Sequence, residues 1–250
     1  MGSKRIIINT HIEKTAGTSL LKFFEDTVGK QKIAFYDPTT DSLVRVSDLL
    51  LSPSNDFVDR LQLKSYAFWP SLKKTYFKTR SKYAQKIPSD IAIIHGHFTS
   101  ERFDKVVKNP IMTVVIRDPL KRMYSQYDHW KHAKGRNHWR IIIPYDPQLS
   151  FEAFALLPAM QNYQIKALAG KKLASFDLVG TTEKLNMFSS ALFQMFIREG
   201  YVTNATPVKS IPKLNKHRKK YVANKKFEAL FKKFHKEDYL LYEQAKRLAK

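Results

Sequence analysis

The chain has no cysteine in its 250 residues, which excludes disulfides and any metal held by thiolates. It is short of acid: 22 Asp and Glu stand against 44 Lys and Arg, for a formal net charge of +22. That imbalance bears on partners more than on fold. It favours polyanions such as nucleic acid, sulfated or uronic-acid polysaccharide, or anionic headgroups. No apolar run is long enough to span a bilayer, and no internal repeat or low-complexity tract is present. MGSKR leads directly into an apolar segment, and no targeting segment is expected. The expectation is a cytoplasmic protein, or a soluble luminal domain if an anchor has been removed.

What is present suits a globular chain. Hydrophobic content of 43% and aromatic content of 13% can build a real core, and the length predicts a single α/β domain over 1–250. The organising stretch is Arg5 to Val28, RIIINTHIEKTAGTSLLKFFEDTV. Ile6–Ile8 reads as a buried strand. A turn through His11–Gly17 follows, then a helix with Leu20, Leu21, Phe23, Phe24 and Val28 on its apolar face and Gly29 past its end. A strand, a short loop and a helix start make an anion site. Free N–H groups and the positive helix end meet there, and Lys14, Thr15, Thr18 and Ser19 add side-chain donors. An ordinary strand–turn–helix with a solvated lysine would produce the same pattern. The GxxxxGK[ST] motif is absent, because Lys14 precedes the single glycine, Gly17.

Two further strands end in residues able to do chemistry. Ile91–Ile94 runs into His95-Gly96-His97, and a histidine beyond a strand end is placed for proton transfer. His-x-His could also begin a metal site, but no third ligand follows at a recognised spacing. Ile111–Ile116 runs into Arg117-Asp118-Pro119-Leu120-Lys121-Arg122-Met123-Tyr124-Ser125. Pro119 suits a first helical turn. Ser125 lies about two turns beyond Arg117, so a guanidinium and a hydroxyl can grip one phosphate.

The remaining elements are less specific. Lys32–Tyr36 reads as a strand closed by Asp37-Pro38, and Ser47–Leu51 and Phe57–Leu63 as short helices. Lys64 to Lys86 mixes basic and aromatic residues, either a polyanion surface or a helix packed on the core. A helix from Pro119 to about Ala133 ends in a cluster containing His129, Trp130, Lys131, His132, Lys134, Arg136, His138, Trp139 and Arg140. This cluster is the leading acceptor-binding candidate, with a solvated helix end as the alternative. Ser150–Leu157 and Met160–Ala169 read as helices, Phe176–Gly180 as a strand, and Thr181 to Arg198 as a helix. Tyr201–Asn215 reads as a loop. One long terminal helix is expected from about Asn224 to Ala249.

The segment His11-Ile12-Glu13-Lys14-Thr15-Ala16-Gly17-Thr18-Ser19 resembles the phosphosulfate-binding loop of sulfotransferases that use 3′-phosphoadenosine 5′-phosphosulfate (PAPS). The similarity is to the carbohydrate branch, with Glu13 where those enzymes usually carry proline. HGH is similar to a stretch of the heparan-sulfate and uronyl 2-O-sulfotransferases, and RDPxxRxxS resembles the family's 3′-phosphate motif. LVGTTEKL looks like the family's late strand-to-helix turn.

The resemblance implies a three-layer α/β fold with a mainly parallel sheet, of the P-loop nucleotide-kinase-like sulfotransferase type. It implies Lys14 and His97 as catalytic residues, and Lys14, Thr15, Ala16, Gly17, Thr18, Ser19, Arg117 and Ser125 as ligands of PAPS, with adenosine 3′,5′-bisphosphate as product. Lys213, Lys216, Arg218, Lys219 and Lys220 become candidates to reach phosphates or an acidic acceptor. The expected acceptor is an acidic or polar carbohydrate, with no nucleic acid partner and no metal required. Two other classes remain: a P-loop-like kinase, disfavoured by the missing GK[ST], and a non-catalytic polyanion-binding protein, favoured by the charge.

Overall fold

The computed structural model describes residues 4–37, 42–49, 87–132, 139–203, 211 and 224–249. Among them, six strands form one sheet: β1 (Ile7–Thr10), β2 (Ile33–Asp37), β3 (Ser42–Arg45), β4 (Ile93–Gly96), β5 (Ile111–Ile116) and β6 (Leu178–Thr181). Their order is β3-β2-β4-β1-β5-β6. Every neighbouring pair is parallel except β2 with β3. The helices are α1 (Gly17–Val28), α2 (Val46–Leu49), α3 (Pro119–His132), α4 (Trp139–Ile142), α5 (Phe151–Ala155), α6 (Tyr163–Ala167), α7 (Leu185–Arg198), α8 (Lys225–Phe234) and α9 (Lys236–Leu248). No described helix is long and apolar enough to cross a membrane.

The apolar runs of the strands are continuous because both faces of the sheet are covered. Successive side chains point to opposite faces, so Ile7, Ile93 and Val115 enter one core while Ile8, Ile94 and Val114 enter another. The first core is closed by Leu20, Phe23 and Phe24 of α1 and by Phe188, Leu192 and Phe196 of α7. The second is closed by Leu241, Tyr242 and Ala245 of α9 and by Leu168 just beyond α6. The result is an α/β fold of three layers. A third apolar cluster joins Met123, Tyr127 and Trp130 of α3 to Phe151 and Phe154 of α5 and to Phe227 and Phe231 of α8.

The strand expected at Ile111–Ile116 is found with those bounds, and the other expected strands shift by one or two residues at each end. β3 has no counterpart in the sequence reading, since SLVR is short and its side chains are only partly buried. The single terminal helix is corrected to two. His235, at φ −105° and ψ 32°, separates α8 from α9. Its buried ring is held on both sides: Nε2 lies 2.9 Å from the Ala155 carbonyl, and Nδ1 accepts from the Asn162 N–H at 3.3 Å. The two helices expected between Ser150 and Ala169 are shorter than predicted, although Ser150 does cap α5 by accepting from the Ala153 N–H. The expected helix at Phe57–Leu63, the basic-aromatic run Lys64 to Lys86, and Lys213, Lys216, Arg218, Lys219 and Lys220 lie outside the described residues.

Candidate functional site

Thr10, the last residue of β1, pairs with Gly96 of β4 on one side and with Val114 of β5 on the other. The chain leaving β1 turns to the β2 side through α1, whereas the chain leaving β4 crosses β1 to reach β5. β1 therefore stands at the point where the strand order reverses, and the crevice beyond such strand ends is where open α/β sheets bind ligands. Three segments emerge there together: the loop from His11, His97 after β4, and Arg117 after β5.

The loop is strained and its helix start is bare. Lys14 (φ 68°) and Ala16 (φ 71°) are both left-handed, and Thr15 between them is not. Left-handed residues in a tight turn are a feature of backbone concavities that suit an anion. Ala16 is the N-cap of α1, with no side-chain cap. The first helical bond runs from the Leu20 N–H to the Ala16 carbonyl at 3.0 Å, so Gly17, Thr18 and Ser19 have no acceptor within the helix. Alanine is among the poorest N-caps. A helix start left this way, beside a lysine, can take an external hydrogen-bond acceptor.

The loop's own hydrogen bonds use some of the expected donors. The Thr15 hydroxyl donates to the Ile12 carbonyl at 2.7 Å, and the Thr15 N–H reaches the same oxygen at 3.3 Å. Thr18 is exposed and Ser19 buried. Gly17 is required by packing: a Cβ there would lie 1.8 Å from His11 Nε2.

Two arginines hold consecutive loop carbonyls. Arg117 Nη1 donates to the Lys14 carbonyl at 2.9 Å, and Arg122 Nη1 to the Glu13 carbonyl at 3.4 Å. Burial lowers the pKa of both guanidinium groups. Burial also pulls the Lys14 ammonium below its ordinary value, Glu13 raises it again and Arg117 pushes it down. Three partly desolvated cations gathered around one loop favour a ligand of high negative charge. Glu13 is buried and accepts from Trp139 Nε1. Ser125 lies on α3 between Arg122 and Asp128 at helical spacings of three. Arg122 donates to the Glu13 carbonyl, and Arg122 and Asp128 both act on the charge of Lys14, so Ser125 shares the helix face turned toward the loop.

The histidines form a stack. The His11 ring lies 5.1 Å from that of His95 and 4.5 Å from that of His97. His95 is buried inside β4 with Nδ1 2.8 Å from Asn9 Oδ1, and Asn9 Nδ2 in turn donates to Thr113 Oγ1 at 2.9 Å. Burial drives His95 down to about 3, with His97 adding to the effect. His11 is likewise held well below its ordinary range by burial, then by His97, His95 and Lys14. His97 is more open than His95. Its Nδ1–H donates to the His11 carbonyl at 3.1 Å, which puts the lone pair of the neutral ring on Nε2. Gly96 allows the tight crossing, since a Cβ there would meet the Tyr36 backbone at 3.0 Å. Among the described residues no group of three or more His, Asp and Glu could hold a metal ion.

The aromatic part of the expected acceptor cluster belongs to the interior. Trp130 is fully buried and donates from Nε1 to the Ile143 carbonyl, and Trp139 is buried against Glu13. Arg140 caps the end of α3 by donating to the carbonyls of Trp130 and Lys131. Lys134, Arg136 and His138 lie outside the described residues. The supporting roles of Asn9, His11, Arg122 and Gln164 were not expected from the sequence. His11 and Arg122 had a visible signal, as the first residue of the loop motif and the second arginine of RDPxxRxxS. The chain matches no model of a known protein family, and it matches no curated protein.

Proposed function

We propose that this protein is a sulfotransferase of P-loop-like sulfotransferase fold. It moves a sulfuryl group from PAPS to a hydroxyl of an acidic or polar carbohydrate. The observation that carries the reading is the convergence of the strained Lys14 loop, Arg117 and His97 beyond the carboxyl ends of β1, β5 and β4. Arg117 lies 2.9 Å from the Lys14 carbonyl and His97 lies 3.1 Å from the His11 carbonyl. The bare N–H groups of Gly17 to Ser19 and the Lys14 ammonium fit a phosphosulfate. Arg117 and Ser125 fit a 3′-phosphate.

In this scheme the acceptor oxygen forms a bond to sulfur as the bond from sulfur to the phosphate oxygen breaks. His97 Nε2 takes the hydroxyl proton. Lys14 neutralises the charge growing on the departing oxygen, and adenosine 3′,5′-bisphosphate leaves. Catalysis is chiefly positioning and electrostatics.

The test is to incubate the protein with PAPS and a panel of carbohydrate acceptors and read products by mass. A gain of one sulfuryl group on an acidic polysaccharide fragment is expected, with turnover falling as salt screens the basic surface. Salt-sensitive binding of polyanions with no mass shift on any acceptor would favour a non-catalytic polyanion binder instead, for which the net charge of +22 is the supporting observation.

A further inference from the structure

Gln164 sits on α6, 47 residues from Arg117 in sequence, and is fully buried. Both ends of its amide are spent on one residue. Oε1 accepts the Arg117 N–H at 3.0 Å, and Nε2 donates to the Arg117 carbonyl at 2.8 Å. Arg117 is the first residue past β5, where the sheet no longer satisfies its backbone, so the amide replaces the missing strand neighbour.

Gln164 is itself held. Asp238 of α9 accepts the Gln164 N–H at 3.1 Å through Oδ2 and the Ile165 N–H at 2.9 Å through Oδ1. A rigid path thus runs from the C-terminal helix through Asp238 and Gln164 to the backbone of Arg117. Among the described residues the Arg117 guanidinium has one hydrogen bond, from Nη1 to the Lys14 carbonyl. The rest of the fork is available to a ligand, and its direction is set by the backbone that Gln164 fixes.

The geometry points to Gln164 as the positioning residue that aims Arg117 at the 3′-phosphate of the nucleotide, and so as a determinant of preference for 3′-phosphorylated nucleotides. This rests on the sulfotransferase reading above. It adds a residue that makes no contact with the nucleotide itself and that no motif marks.

The experiment is calorimetric titration of the native protein, Gln164→Leu and Gln164→Glu with adenosine 3′,5′-bisphosphate and with adenosine 5′-monophosphate, each variant first checked by thermal melting. Gln164→Leu removes both hydrogen bonds. Gln164→Glu keeps the acceptor for the Arg117 N–H but sets a carboxylate oxygen against its carbonyl, and so serves if the leucine variant does not fold. The expected result is a loss of at least about tenfold for the bisphosphate and less than about threefold for the monophosphate. Equal losses for the two ligands, or no loss for either, would overturn the positioning role. A native protein with no preference for the bisphosphate would overturn the sulfotransferase reading and this inference with it, and that is seen before any variant is made.

Discussion

At the scale of single residues, the two histidines of HGH have different environments and should have different roles. His95 is enclosed in β4 against Asn9, with burial holding it neutral, so it is a structural partner. His97 is partly open, and its tautomer is fixed by the His11 carbonyl. His97→Ala is therefore expected to lower kcat by at least about 10²-fold, the low end for a positioned acid–base group. Nucleotide affinity should barely change. His95→Ala should instead lower the melting temperature, since it strands Asn9 in the core. Turnover on a verified acceptor, measured beside a melt for each variant, separates the two. Near-native turnover by His97→Ala would remove it as the base.

At the scale of elements, the strained loop makes a stability prediction of its own. A left-handed residue with a Cβ costs about 1–2 kcal/mol, and Ala16 is left-handed at an uncapped helix start. Glycine relieves the strain and is the better N-cap, at some cost in unfolded-state entropy. Ala16→Gly should stabilise the protein by about 0.5–1 kcal/mol, read by denaturant unfolding. A loss of stability would contradict the loop geometry.

The strands, and the Lys14 loop leading into a helix start, were legible in the sequence because β-branched runs and a helix start beside Lys14 are local signals. The edge strand β3 was not, being short and half-covered. The break at His235 was also hidden, because its cause is a carbonyl of α5 eighty residues away. Trp130 and Trp139 looked like a binding surface because their cationic neighbours are adjacent in sequence, while their partners, Ile143 and Glu13, are set by the fold. The clamp of Gln164 on Arg117 leaves no local pattern at all.

At the scale of the molecule, buried imidazoles make the fold sensitive to acid. Burial lowers His235 from 6.5 to about 4 and His95 from 6.5 to about 3. The native protein keeps both rings neutral while the unfolded chain binds protons below about 6.5, so stability is full above that pH and falls as pH drops toward 4. Each ring contributes on the order of 3 kcal/mol across its window. Asp238, raised by burial, acts in the opposite sense over its own titration but is outnumbered. Urea unfolding should show clearly lower stability at pH 5 than at pH 7, and equal stability would contradict the buried neutral histidines.

Under the proposed function, the loop after β1 and Arg117 form one site for a nucleotide phosphorylated at both 3′ and 5′ positions. Calorimetric titration of the native protein and of Arg117→Ala tests it without any knowledge of the acceptor. The native protein should bind adenosine 3′,5′-bisphosphate more tightly than adenosine 5′-monophosphate. Arg117→Ala should cost the bisphosphate about 2–4 kcal/mol, the scale for removing one partner of a desolvated charge pair. The monophosphate should lose less, since the variant costs it only the support of the Lys14 carbonyl. Equal native affinities, or equal losses in the variant, would contradict the account.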